Sequence, residues 1–278
     1  MTSTDSSVAD AAIAAAMDEA LRHSFTIGDR TLSYLDFGGP GRPLLAVHGG
    51  LSEALIWADL AARLGSEWRV IAPDQRGHGE SDRAASYDRA DYVSDLVALL
   101  GHLGLGPLPV VGHSLGGLNA VYLAAEHPGL VSALVNVDAG VVFPHDVPNP
   151  YAFVGAFPYT APTREELIAA CGPLGPVVAP ALRPLPGGAG WRLPFHPQDT
   201  VTTVEAARGD SLPVWLASTC PALLVHGRKS EVLPQELADA MVAARPHTSY
   251  AGLDTGHVVP VEDPAGLASA VSDFLGRL

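Results

Sequence analysis

Basic side chains are scarce: 16 lysines and arginines face 30 aspartates and glutamates, a formal charge of −14 at pH 7. No basic cluster offsets that charge, so repulsion excludes a nucleic-acid partner. Cysteine is nearly absent. Cys171 and Cys220 stand far apart without metal-ligand spacing, which predicts neither a disulfide framework nor a metal centre, and each reads as a free thiol in the interior. No run reaches the roughly 18 uncharged apolar residues that cross a membrane. Asp5, Asp10, Asp18 and Glu19 surround the alanine-rich start, which therefore lacks the positive beginning and apolar centre of a secretion signal. These absences predict a cytoplasmic protein with no membrane and no nucleic-acid partner. What is present is apolar: 47% of the 278 residues are hydrophobic, enough for one large domain with a well-buried core and an insertion.

Pro109-Val110-Val111-Gly112-His113-Ser114-Leu115-Gly116-Gly117 is a short apolar run that breaks at a glycine, presents a serine and continues into a helix-like segment. Small residues flank Ser114 because a strand turning straight into a helix brings backbone against backbone, where a side chain would clash. On such a turn the Ser114 hydroxyl points away from the sheet. The Leu115 amide, first of the helix, then faces any negative charge that develops there. In a chain with 29 glycines, Gly-x-Ser-x-Gly also arises by chance, so the surroundings decide.

Three further stretches stand in order around it. They are His48-Gly49-Gly50 after Leu44 to Val47, Asp74-Gln75-Arg76-Gly77-His78-Gly79-Glu80-Ser81 after Val70-Ile71-Ala72, and Gly256-His257 near the C-terminus. Together the four motifs resemble the α/β-hydrolase superfamily, over roughly residues 24–139 and 214–278. The resemblance implies an α/β fold, a mostly parallel eight-stranded sheet flanked by helices with a lid inserted after the sixth strand. It also implies Ser114 as nucleophile, His257 as base, and the backbone amides of Gly50 and Leu115 as oxyanion hole. The chemistry needs these types: a serine hydroxyl is a poor nucleophile until a base accepts its proton, and the base needs a carboxylate to fix its tautomer. Two amides aimed at the tetrahedral intermediate stabilise its charge without reorganising. Haloalkane dehalogenases and epoxide hydrolases carry an aspartate at this turn, so Ser114 argues against them.

Along the chain, Val8, Ile13, Met17 and Leu21 recur at approximately helical spacing and predict an amphipathic helix over residues 7–22. It forms an extension of residues 1–23, packed on the core or on a second subunit of a homo-oligomer, or left as a mobile tail. Ser24 to Ile27 and Thr31 to Phe37 read as a hairpin about Gly28-Asp29. Leu44 to Val47, Trp68 to Pro73 and Val131 to Val137 read as buried strands. Arg89 to Leu103 and Leu115 to Glu126 read as helices. In the turn from Asp74 to Ser81, Arg76 and Asp74 are expected to pair, and His78 to satisfy local hydrogen bonds.

From Gly140 to Trp215 lie 13 of the 24 prolines and 8 of the 18 aromatic residues, so the strand–helix alternation stops there. Segment 140–215 resembles the superfamily's lid, between core segments 24–139 and 216–278. Thr163-Arg164-Glu165-Glu166 is a capping box for one short lid helix, and the rest reads as loop. Leu51, Phe143, Phe153, Phe157 and Trp191 are assigned to an apolar substrate pocket, the alternative for the lid aromatics being a small core of the lid's own. Trp57 is assigned to the core. Beyond the lid, Ala222 to His226 and Thr248 to Gly252 read as strands. Leu237 to Ala244 and Pro264 to Leu275 read as helices, the last N-capped by Asp263.

The triad's acid is open between two carboxylates. Most superfamily members place it three residues beyond the glycine that follows the next-to-last strand, and here that position is Ser230. Asp138 ends the strand after the nucleophile's helix, an alternative position in some members, and is preferred; it could equally cap the turn into the lid. Glu231 is the other choice, or a solvated charge. The reading is a serine hydrolase of a carboxylic ester or lactone of a moderately large hydrophobic small molecule, working without cofactor or metal. Carbon–carbon bond hydrolysis, perhydrolysis and amide cleavage are the enzymatic alternatives, and a non-turnover receptor for a small ligand is the other class. A carbon–carbon bond substrate with an acid end wants a cation in the pocket, for which Arg192 and Arg164 are available.

Overall fold

The computed structural model describes residues 21–278. The helix expected over residues 7–22 lies outside the described residues as far as residue 20, and Leu21, Arg22 and His23 belong to a strand rather than to an extension. In chain order the long strands are β1 (Leu21–Ile27), β2 (Arg30–Asp36), β3 (Arg42–Val47), β4 (Trp68–Pro73), β5 (Leu108–His113), β6 (Val131–Val137), β7 (Ala222–Gly227) and β8 (Thr248–Leu253). The helices of six residues or more are α1 (Ala58–Leu64), α2 (Arg89–Leu103), α3 (Leu115–Glu126), α4 (Arg164–Ala170), α5 (Pro197–Ala206), α6 (Leu212–Ala217), α7 (Gln235–Ala244) and α8 (Pro264–Leu275). None of the described helices is long and apolar enough to cross a membrane.

The eight strands make one sheet in the order β1-β2-β4-β3-β5-β6-β7-β8. β1 and β2 form an antiparallel hairpin that joins β4 antiparallel, and every pairing from β4 to β8 is parallel. A parallel sheet is stable when both faces are covered, which is why its strands read as unbroken apolar runs. Leu45, Val110, Leu134 and Leu224 pack with α2, α3 and α7 on one face. Leu44, Val111, Val135 and Val225 pack with α1 and α8 on the other. Parallel strands bring their C-terminal ends to a common edge, where the motif residues after β3, β5, β6 and β8 converge.

Between β6 and β7 the chain leaves the sheet. Thr160–Ala161, Arg183–Pro184 and Trp191–Arg192 form a small antiparallel sheet. It packs with α4 around a separate cluster of Val154, Leu167, Cys171, Val178, Leu182, Leu193 and Phe195. Thr163 caps α4 through a reciprocal box with Glu166. Two helices appear here that the sequence reading left as loop. The buried residues of α5 are Pro197, Asp199, Thr200 and Thr203, a largely polar face that carries no apolar period. α6 is short, and its Trp215 is fully buried in the main core and donates to the Met241 carbonyl. Residues 212–217 thus pack with the sheet's helices, not with the inserted cluster. Three ion pairs tie the insertion to the loops beneath it: Arg183 to Glu53, Arg192 to Glu80, and Asp199 to Arg83.

Candidate active site

Ser114 sits on the turn between β5 and α3 at φ 51°, ψ −117°, a conformation few non-glycine residues adopt. A Cβ on Gly112 would overlap the Gly116 carbonyl, and one on Gly116 would overlap the Val47 carbonyl, so both small residues are required. Ser114 Oγ lies 2.9 Å from His257 Nε2, and His257 Nδ1 lies 2.8 Å from Asp138 Oδ2. Asp138 is fully buried and follows β6 in a left-handed conformation, φ 50°. Asn136 stabilises that turn by accepting from the Ala139 amide and donating to the Ala139 carbonyl. The Asp138 carboxylate also accepts from the Gly227 amide at 2.9 Å and from the Ser230 hydroxyl. Ser230, at the position where the sequence pattern expects the acid, thus donates to Asp138.

Glu231, the alternative acid, is exposed and makes no side-chain hydrogen bond among the described residues. Its neighbour Ser230 takes the inward direction. The Glu231 carboxylate therefore lies in solvent, away from His257.

The loop of His257 is clamped from below. Glu262 accepts from the amides on either side of it, Gly256 at 2.7 Å and Val258 at 3.1 Å. His113 Nε2 donates to the His257 carbonyl at 2.9 Å, which leaves His113 Nδ1 as a buried lone pair without a partner. Burial pushes the His113 ring down to about 3, so it stays neutral. These clamping residues gave no sequence signal beyond proximity to a motif.

The amides of Gly50 and Leu115 have no hydrogen-bond partner among the described residues. His78 bridges the Arg76 and Gly50 carbonyls, each at 2.9 Å, so it holds the loop locally. The expected pair of Arg76 and Asp74 does not form. Arg76 Nε donates to Asp95 at 2.7 Å, while Asp74 takes Arg22 and the Ala54 and Glu80 amides.

Of the residues assigned to a pocket, Leu51, Phe157 and Trp191 pack together against the inserted cluster, joined there by Tyr151. Phe143 instead packs against the main core, and Phe153 is half-exposed with its ring edge-on to Phe157. Trp57 is fully buried in the core. Arg192 is engaged by Glu80, and Arg164 donates to the Ala179 carbonyl beside Trp191. Cys171 and Cys220 are free, and burial raises both thiols. No group of three or more metal-ligating side chains occurs among the described residues.

The sheet, the serine turn and the histidine loop define a class of enzyme: residues 42–264 match the alpha/beta hydrolase fold, and the chain belongs to that family of hydrolases. It is 34% identical to the lipase LipV of Mycobacterium tuberculosis over 251 residues, 86% of this chain and 94% of that protein. It is 30% identical to the 3-hydroxybutyrate-oligomer hydrolase of Cupriavidus necator over 279 residues, 90% and 94% of the two chains. The crystal structure of E-2-(acetamidomethylene)succinate hydrolase superposes with a TM-score of 0.80 at 27% identity, covering 92% of this chain and 99% of the other.

Proposed function

We propose that the protein is a serine hydrolase that cleaves a carboxylic ester or lactone of a moderately large hydrophobic molecule through an acyl-enzyme. One observation carries the reading: the continuous chain from Ser114 Oγ through His257 to Asp138. His257 Nε2 takes the Ser114 proton as Oγ attacks the carbonyl carbon, and the electron pair displaced onto oxygen is met by the Gly50 and Leu115 amides. Collapse expels the alkoxide, which receives the proton from His257. Water then passes a proton to His257 and attacks the acyl-serine. A second collapse releases the acid and returns the proton to Ser114. Asp138 holds the imidazole in one tautomer and stabilises its cation. In a lactone the alcohol and acid leave as one molecule.

Two similarities support an ester substrate: one relative is a lipase, and another hydrolyses oligomers of 3-hydroxybutyrate, whose links are esters. The insertion between β6 and β7 serves as the lid, and its partly buried Tyr151, Phe157 and Trp191, with Leu51, are the apolar side chains offered to the substrate where they are not engaged in the insertion's own cluster. Amide cleavage is the second reading, favoured by the likeness to a hydrolase of an acetamido compound. Arg192 and Arg164 are both engaged, which weighs against a substrate that must dock a free acid end.

The test is intact-protein mass spectrometry after treatment with a fluorophosphonate, followed by a screen of neutral esters, lactones and amides. One adduct per chain on Ser114, absent in Ser114→Ala, is the expected result. An unlabelled serine, under conditions that fully label a known serine esterase, rejects the acyl-enzyme mechanism.

A further inference from the structure

The two amides offered to the oxyanion come from different parts of the fold, Gly50 from the loop after β3 and Leu115 from the start of α3. Their spacing is decided by whatever joins that loop to that helix. We propose that the side chain of Gln75 is that joint, a splint between the two halves of the oxyanion hole, and that Gln75 and Asn119 are positioning residues for catalysis. The proposal rests on the reading of Ser114 as nucleophile with Gly50 and Leu115 as donors.

Gln75 and Asn119 are almost wholly buried, and neither contributes to the triad. Gln75 Nε2 donates to the His48 carbonyl at 2.6 Å, and its Oε1 accepts from Asn119 Nδ2 at 2.5 Å. Asn119 stands one turn beyond Leu115 on α3, so one end of the glutamine is fixed to the oxyanion loop and the other to the nucleophile's helix. The amide of Asn119 has only one orientation open to it, because buried Arg89 donates to its Oδ1. That leaves its NH2 group for Gln75.

The loop end is also defined in direction. The backbone amide of Gln75 donates to His48 Nε2 at 3.0 Å, so the proton of this imidazole is on Nδ1, which donates to the Gly49 carbonyl at 2.7 Å. Burial pushes His48 down to about 3, so the ring stays neutral, and its two hydrogen bonds select this tautomer. In a trans peptide the carbonyl and the N–H point in opposite directions. Holding the Gly49 carbonyl toward His48 therefore turns the Gly50 N–H away from it. Every donor in the series from Arg89 to His48 points the same way, an arrangement in which each bond polarises the next. Gly116 lets α3 start directly against the Val47 and His48 carbonyls, so a shift at the Gln75 joint has no slack to absorb it.

The test uses Gln75→Leu, Asn119→Ser and the double variant, each assayed on a p-nitrophenyl ester, with kcat expressed per Ser114 titrated by fluorophosphonate. Small displacements of catalytic groups and loss of an oxyanion donor each cost on the order of 100-fold. The expected result is a kcat lower by about 10- to 100-fold in each single variant with KM within about twofold. Affinity for a trifluoromethyl ketone should fall by the same factor as kcat/KM, and the double variant should be little worse than either single one, since both cut one joint. A purely structural role would lower melting temperature and the titratable fraction and leave kcat per titrated site unchanged. Should Gln75→Leu fail to fold, Asn119→Ser cuts the same link and decides alone. Wild-type kcat per site in both single variants, a loss confined to KM, or losses that multiply in the double variant overturn the splint. If wild-type Ser114 is not labelled, the nucleophile reading fails and the splint with it, an outcome distinct from labelled but unimpaired variants.

Discussion

Asp138 owes its place to the donors it meets. Its carboxylate lies at the end of a buried strand and accepts from Gly227, Ser230 and His257. Asp138→Asn leaves His257 without the partner that fixes its tautomer, and kcat on an ester falls by about 10⁴-fold. Ser230→Ala removes one donor and falls between that variant and wild type. Glu231→Gln is indistinguishable from wild type, because its side chain is in solvent. Steady-state kinetics on the three variants decide the acid, and a larger loss in Glu231→Gln than in Asp138→Asn would reassign it. Ser114 and His257 were legible because each belongs to a local motif whose backbone conformation demands small neighbours. The acid was open, since Asp138 and Glu231 both follow the C-terminal ends of neighbouring parallel strands and the usual acid position holds Ser230. Gln75 stood inside a quoted motif without an assigned role and Asn119 carried no signal: a polar residue reads as buried only when its hydrogen-bond partners are known.

The elements of the sheet read well because burial on both faces enforces unbroken apolar runs. α2 and α3 fall over the same residues as their apolar periods, Arg89–Leu103 and Leu115–Glu126. The inserted segment read poorly for the converse reason. α5 buries an aspartate and two threonines, and it is held by Asp199, which accepts from Arg83 and from the Tyr87 hydroxyl at 2.6 Å. Ion pairs of Arg183, Arg192 and Asp199 join this layer to the core. Glu53 is the deepest of the contacts, buried between Arg183 of the insertion and Arg22 of β1, with burial raising its carboxyl. Arg183→Met strands that carboxylate. Removing one partner of a buried pair costs roughly 3–5 kcal/mol, and the loss here falls toward the lower end because Arg22 remains 3.9 Å away. Urea unfolding of the variant measures it, and an unchanged midpoint would mean that Arg183 contributes nothing to holding the insertion.

Over the whole molecule, buried histidines link folding to pH. Burial pushes His48 and His113 down to about 3 in the folded protein, whereas an unfolded histidine titrates near about 6.5. Below that pH the unfolded chain binds protons that the folded chain refuses. The stability these residues permit is therefore complete above pH 6.5 and is lost progressively as pH falls toward about 3. Each adds about 1.4 kcal/mol per pH unit to that slope. His113→Gln, which keeps a donor for the His257 carbonyl, removes one titration, so its unfolding free energy between pH 6 and 4 declines less steeply by about that amount. Parallel slopes for variant and wild type would show that His113 is not the group excluded from protonation.

The sequence by itself determined the strands and helices of the sheet layer, the serine turn and the histidine loop, because each depends on residues near one another in the chain. Only the tertiary structure decided which carboxylate faces His257, which arginines are already paired, and how the two oxyanion amides are held at one spacing. Those outcomes depend on which buried polar groups meet across strands far apart in sequence, and a hydrogen bond in the interior is settled by its partner's position, not by its own residue type.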